Sequence, residues 1–174
     1  PALVCGNTVV FKPAELVPRT ANWLVGLVDQ AMKDELGDNY IPGVVNLVHG
    51  SGEVVGDAIV NHDGIDLISF TGSSEVGSYI NSTAGRNLKK VSLEMGGKNA
   101  QIIMPDANMD LAMEAVLWGA FGTTGQRCTA TSRLIIHKDV HDDFVNRLIE
   151  KARALRLGYG NHSEVQVGPL ISQE

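Results

Sequence analysis

What the sequence lacks narrows it first. It has only two cysteines, Cys5 and Cys128, far apart in the chain. That gives neither a disulfide framework nor the spacing of a metal cluster, and it fits a reduced, cytoplasmic setting. It has no excess of basic residues: 14 Lys and Arg stand against 20 Asp and Glu, a net charge of −6, with a pI near 5.3. The electrostatic footprint of a nucleic-acid binder is therefore missing. No apolar run approaches the ~20 residues of a membrane span. The five histidines form no H-x-x-x-H pair on a helix; His137 and His141 are four apart but straddle a strand end and a helix start, so no metal is expected. Internal repeats and low-complexity tracts are absent as well. The chain opens at Pro1-Ala2-Leu3 with neither methionine nor signal peptide, and the expectation is that further residues precede it.

What is present is an ordinary globular composition: 174 residues, 44% hydrophobic and 20% charged. A chain of this length can bury roughly 70% of its unfolded surface. Short β-branched runs at 8–12, 44–48, 66–70 and 90–94 alternate with helical patterns starting near Pro18, Glu53 and Ser74. On the first helix Trp23, Leu24, Leu27, Val28, Ala31 and Met32 predict one apolar face ended by Gly37. Strand–helix repeated three times and closed by a strand predicts an α/β fold with a Rossmann-like parallel sheet. Ligands in such sheets bind at the carboxyl ends of strands, here after Phe11, Val48, Phe70 and Glu94. Beyond Gly96-Gly97 the pattern restarts. A strand at 100–104 precedes a helix over 109–121 that carries Leu111, Ala112, Ala115, Val116 and Gly119. A Gly/Thr loop follows, then a strand at 133–136 and a helix over 140–155 on which Phe144, Leu148, Ala152 and Leu155 face one way. The expected division is a cofactor domain over 1–96 and the first part of a second, catalytic domain over 97–174.

Three groups of residues can carry chemistry. Cys128, in Gly125-Gln126-Arg127-Cys128-Thr129, lies in a flexible loop beside a cation that favours a thiolate; read differently, it is a small buried hydrophobe. Cys5 fits packing better. Glu94 ends an apolar strand at the ligand edge, where partial burial suits a general base, although it would equally cap the next element. The glycine turns are the third group. Gly50, Gly52 and Gly56 follow G-x-G-x-x-x-G, near the dinucleotide fingerprint but not identical to it. Phe70-Thr71-Gly72-Ser73 follows a strand and opens a helix whose free N–H groups suit a phosphate, with Ser73 a donor, an N-cap, or both. Lys12 and Glu15 follow the first strand, as a ribose-binding pair or as a solvated ion pair worth under ~1 kcal/mol.

These motifs resemble the aldehyde dehydrogenase superfamily. The residues that carry the resemblance are Pro1-Ala2-Leu3, Gly6 through Glu15, Phe70-Thr71-Gly72-Ser73, Leu93-Glu94-Met95-Gly96-Gly97-Lys98 and Gly125-Gln126-Arg127-Cys128, with Glu94 and Cys128 34 residues apart. The resemblance covers the whole chain but only the middle part of a family member. It implies an NAD(P)-dependent oxidation of an aldehyde to the acid, with Cys128 the nucleophile and Glu94 the general base. It implies that Lys12 and Glu15 bind the adenine ribose, Glu15 favouring NAD over NADP. It implies that Ser73 and the helix beyond Gly72 take the pyrophosphate. Gly50, Gly52 and Gly56 then lie along the adenosine half, and Gly96 marks the passage between domains. Gly122, Arg127 and Thr129 are expected on the substrate wall. The loop sequence is similar to that of members acting on semialdehydes, where Arg127 would meet a carboxylate, tune the thiol or hold the loop.

The family's oxyanion asparagine is expected upstream of Pro1, and its nicotinamide-ribose segment and the strand that joins subunits downstream of Glu174. The 174 residues alone are therefore expected to be inactive, and the parent enzyme to be a homodimer or homotetramer. The competing reading is a non-catalytic nucleotide-binding module with a structural Cys128. A third is a structural piece whose edge strands seek a partner.

Overall fold

The computed structural model describes residues 1–172. Strand β1 (Val9–Phe11) pairs in parallel with β2 (Val45–Leu47), Val9 opposite Val45 and Phe11 opposite Leu47. Helix α1 (Pro18–Leu36) connects them and packs on β2. Pro18 in its first turn is preset for a helix, and Gly37 closes it with φ +50, its N–H donating to the Lys33 carbonyl. The inward face of α1 is Ala21, Val25, Val28 and Met32, a clean 4-3-4 spacing. Trp23, Leu24 and Leu27, expected inside, are exposed, Trp23 at 67%. The apolar stripe spans more than one face of α1, and the narrower part bearing small and β-branched side chains is the part that packs on β2.

A Gly50 turn leads into one π-helical turn (Gly52–Gly56) and then α2 (Asp57–Asn61), where a single helix over 53–61 was expected. Strand β3 (Leu67–Gly72), helix α3 (Ser74–Arg86) and strand β4 (Lys90–Met95) follow, β3 paired with β4. The strand runs through Gly72, so the turn begins at Ser73 rather than at Gly72. Next come β5 (Asn99–Ile103), α4 (Met109–Phe121), β6 (Thr131–Ile136) and α5 (His141–Arg153). Strands β5 and β6 are parallel, with a bulge at the start: Asn99 opposes Thr131 but Ala100 opposes Arg133, leaving Ser132 as the extra residue. The class is α/β, as the alternation predicts, with the strands paired in twos among the described residues.

The backbone forms two compact units. One comprises Pro1–Phe70 with Ser78–Ser92; the other comprises Thr71–Gly77 with the chain from Leu93 onward. The first buries Ala21, Val60, Ile68, Ile80 and Ala84. The second has a core of Ile103, Met113, Val116 and Phe144, packed by Met109, Ala112, Leu117, Leu134, Ile136 and Leu148. Helix α5 buries the face expected of it. Helix α4 turns inward through Met109, Ala112, Met113 and Val116, leaving Leu111 64% exposed and Ala115 exposed. Asn108 caps α4, its side chain accepting from the Leu111 N–H at 3.1 Å.

Candidate functional site

In the first unit, the turn after β1 and the glycine turn after β2 meet. The Lys12 ammonium donates to the Pro13 carbonyl at 2.8 Å, the Gly50 carbonyl at 3.0 Å and Glu15 Oε1 at 3.3 Å. The Glu15 carboxyl is held below the usual carboxylate range. Hydrogen bonding to its own backbone contributes most, then the Lys12 ammonium, then the Gly52 backbone. Gly56 lies against the Lys12 stem and Gly52 against Glu15: a Cβ on either would sit 3.8 Å from Lys12 Cε or Glu15 Oε1 respectively. Gly50 has φ +152, and a side chain there would collide with Val55. The sharp turn is thus reserved for glycine. Ser51 Oγ accepts from the Val54 N–H at 3.2 Å and starts the π-helical turn, a local irregularity often found at binding sites. All five residues expected along the adenosine half are therefore gathered in one place.

In the second unit, Ser73 caps α3, its Oγ accepting from the Val76 N–H at 3.2 Å. A hydroxyl that accepts keeps its own hydrogen to donate, so the cap leaves Ser73 able to meet an anion. Gly77, one turn on, sits against β4; a Cβ there would be 2.6 Å from Met95 Sδ. Phe70 is half-buried, while Thr71 and Gly72 are exposed at the end of β3. Glu94 is exposed near the end of β4 rather than partly buried, and Gly96 is exposed beyond it with open space around its Cα.

The loop carrying Cys128 is built by its glycines and by backbone strain. Gly122 is buried under Trp118, whose ring would be 2.7 Å from an added Cβ. Thr123 (φ +50) and Thr124 (φ +58) both lie in the left-handed region. That region is costly for β-branched residues, and such strain clusters at functional sites. Gly125 (φ +69) brings its Cα so near that a Cβ would be 2.6 Å from the Ala120 carbonyl oxygen. Arg127 turns back onto α4: its Nη2 donates to the Trp118 carbonyl at 3.1 Å, and the guanidinium lies 5.1 Å from the Trp118 ring centroid. The Arg127 Nε is buried without a hydrogen-bond partner. Cys128 and Cys5 are both exposed free thiols. Thr129 is exposed beside it.

Two contacts here escape sequence reasoning. Asn99 Nδ2 donates to the Cys128 carbonyl at 2.6 Å, and Trp118 supplies both carbonyl and ring to Arg127. An asparagine at a strand start and a tryptophan at a helix end carry no signal by themselves. A cavity of about 420 Å³ between Asn7, Asp63, Asp66, Asn87 and Lys89 includes none of the candidate residues. Among the described residues no group of His, Cys, Asp and Glu is arranged to hold a metal. No helix among them is long and apolar enough to cross a membrane.

The chain is thus α/β, with a glycine-lined lysine–glutamate cluster in one unit and, in the other, a serine-capped helix after a strand and an exposed cysteine in a strained loop. The profile of the aldehyde dehydrogenase family matches residues 1–174, and the chain belongs to that family. It is 44% identical over 173 residues to the putative aldehyde dehydrogenase DhaS of Bacillus subtilis (strain 168), covering 99% of this chain and 34% of that protein. Among solved structures it superposes on betaine aldehyde dehydrogenase of Staphylococcus aureus in complex with NAD+. The TM-score is 0.91 at 37% identity, over 99% of this chain and 33% of that one. It superposes equally on the glyceraldehyde-3-phosphate dehydrogenase GapN of Methanocaldococcus jannaschii complexed with NADP, with TM-score 0.92 at 38% identity, over 99% and 37% of the two chains. The chain thus spans about a third of the length of the relatives it matches.

Proposed function

We propose that this chain carries the nucleophile, the general base and most of the adenosine-side contacts of an NAD(P)-dependent aldehyde dehydrogenase. The observation that carries the reading is the Cys128 loop: an exposed thiol presented by a strained turn whose glycines admit no side chain. The cofactor fits the residues present. Lys12 and Glu15 offer a donor and an acceptor to a ribose diol. The glycines at 50, 52 and 56 let an adenosine approach backbone, and Ser73 at the α3 N-terminus offers a hydroxyl and free N–H groups to phosphate oxygens. The ionised Glu15 disfavours a 2′-phosphate and so favours NAD.

The Cys128 thiolate attacks the aldehyde carbonyl carbon and forms a C–S bond, leaving a tetrahedral alkoxide that the Cys128 backbone N–H stabilises. Bound nicotinamide supplies the acceptor for the hydride that this intermediate loses. The product on sulfur is a thioester. Glu94 takes a proton from water, the resulting hydroxide adds to the thioester carbonyl, and the C–S bond breaks to release the carboxylic acid and the thiolate. Gly122, Arg127 and Thr129 would face the substrate in this reading. Arg127 acts there chiefly by holding the loop to α4.

Thiol labelling tests the reading. Because Cys5 and Cys128 are both exposed, a difference in their rates reports chemistry rather than access. Iodoacetamide should modify Cys128 faster than Cys5. Equal rates would favour a nucleotide-binding module without a nucleophile.

A further inference from the structure

The direction of a side chain is set by its backbone, so whatever holds the Cys128 peptide aims the sulfur. Three observations converge on Asn99. Its Nδ2 donates to the Cys128 carbonyl at 2.6 Å and to the Ala130 carbonyl at 3.3 Å, so one carboxamide spans the turn around Thr129. Asn99 stands at the bulge in the β5–β6 ladder, where Ser132 is the extra residue. Bulges re-aim side chains and recur beside active sites. Asn99 is itself exposed, so core packing does not require an amide there.

Its position in the chain adds a second role. Asn99 follows Glu94 by five residues, through Met95-Gly96-Gly97-Lys98. The neighbouring Lys98 carbonyl accepts from Arg133 Nε at 2.9 Å and Nη2 at 2.5 Å. The segment leaving β4 after Glu94 is therefore tied to the cysteine loop by Asn99 and to β6 by Lys98. On the other side of Cys128, Arg127 is tied to the carboxyl end of α4.

We propose that Asn99 is a positioning residue: its carboxamide fixes the Cys128 peptide and couples the segment that bears Glu94 to the loop that bears the nucleophile. This rests on the reading of Cys128 as nucleophile. A fixed peptide matters most where charge develops on a carbonyl oxygen that the Cys128 N–H must meet, and little where no oxyanion forms.

Two reagents on a Cys5→Ser background separate these cases. Acylation by p-nitrophenyl acetate forms an S–acyl bond and breaks the acyl C–O bond of the ester, p-nitrophenolate leaving with the electron pair; it passes through an oxyanion. Alkylation by iodoacetamide does not. Asn99→Ala should lower the acylation rate of Cys128 about tenfold and change alkylation less than twofold, with the thermal midpoint held. Asn99→Asp keeps the shape but sets a carboxylate against two carbonyl oxygens, and should lose more. Asn99→Gln, which retains the donors, should recover part of the acylation rate. Acylation unchanged in the folded Asp variant would overturn the proposal, as would acylation and alkylation falling in equal proportion. In the chain that keeps both cysteines, a Cys128 no faster than Cys5 with either reagent would overturn the nucleophile and Asn99's role together. A fast Cys128 indifferent to Asn99 would overturn only the latter.

Discussion

The proposed function gives Cys128 and Glu94 separable duties, and substitutions read them apart. In an enzyme containing this chain, Cys128→Ser should lower aldehyde oxidation by about a thousandfold or more while leaving NAD affinity, followed by fluorescence titration, unchanged. Glu94→Gln should keep one rapid turnover and then stall. The absorbance burst would match the number of sites, and the steady rate would fall about a hundredfold, within the range of a lost general base. Glu15→Gln should narrow the preference for NAD over NADP by about tenfold, equivalent to ~1.4 kcal/mol. Because Glu15 is depressed below its ordinary range, the stability it contributes is complete above that range and is lost only as pH falls through the depressed value. The acid limb of urea unfolding should therefore be flatter in Glu15→Gln than in the wild-type chain. Cys128, Glu94, Lys12 and Glu15 are legible in the sequence as candidates, because reactive side chains at strand ends or in a glycine-rich loop stand out without coordinates. Asn99 is not. Its part comes from where a bulge turns it, and no residue pattern along the chain encodes that turn.

Elements explain why the cysteine loop keeps its shape. Gly125→Ala would need a side chain at φ +69 and 2.6 Å from the Ala120 carbonyl oxygen. It should cost about 1–3 kcal/mol in urea unfolding and slow Cys128 acylation. Asn108→Ala removes the cap of α4 and should cost about 1 kcal/mol in the same measurement. Because α4 leads straight into the loop, the second change tests whether the helix frame reaches the thiol. The bounds of α1 were readable, since Pro18 and Gly37 mark its ends by local sterics. The inward face of α4 was not. Met, Leu, Ala, Val and Trp occupy most of its circumference, so several phases fit the spacing, and contact with β6 and α5 selects one. On α1 the apolar stripe is likewise wider than the face that packs within this chain, and Trp23, Leu24 and Leu27 stay exposed.

Across the whole molecule, alternation of strand and helix announced the α/β class, but which strands pair depends on contacts distant in the chain. The net charge of −6 is legible without coordinates. It predicts that solubility, followed by light scattering, passes through a minimum near the pI of 5.3. The two exposed thiols bear on how such a sample ages. Left without reductant, a chain with one reactive sulfur at each of two surface positions can link onward through both. Non-reducing gels should then show ladders extending past the dimer, whereas Cys5→Ser should end at a dimer that dithiothreitol dissolves.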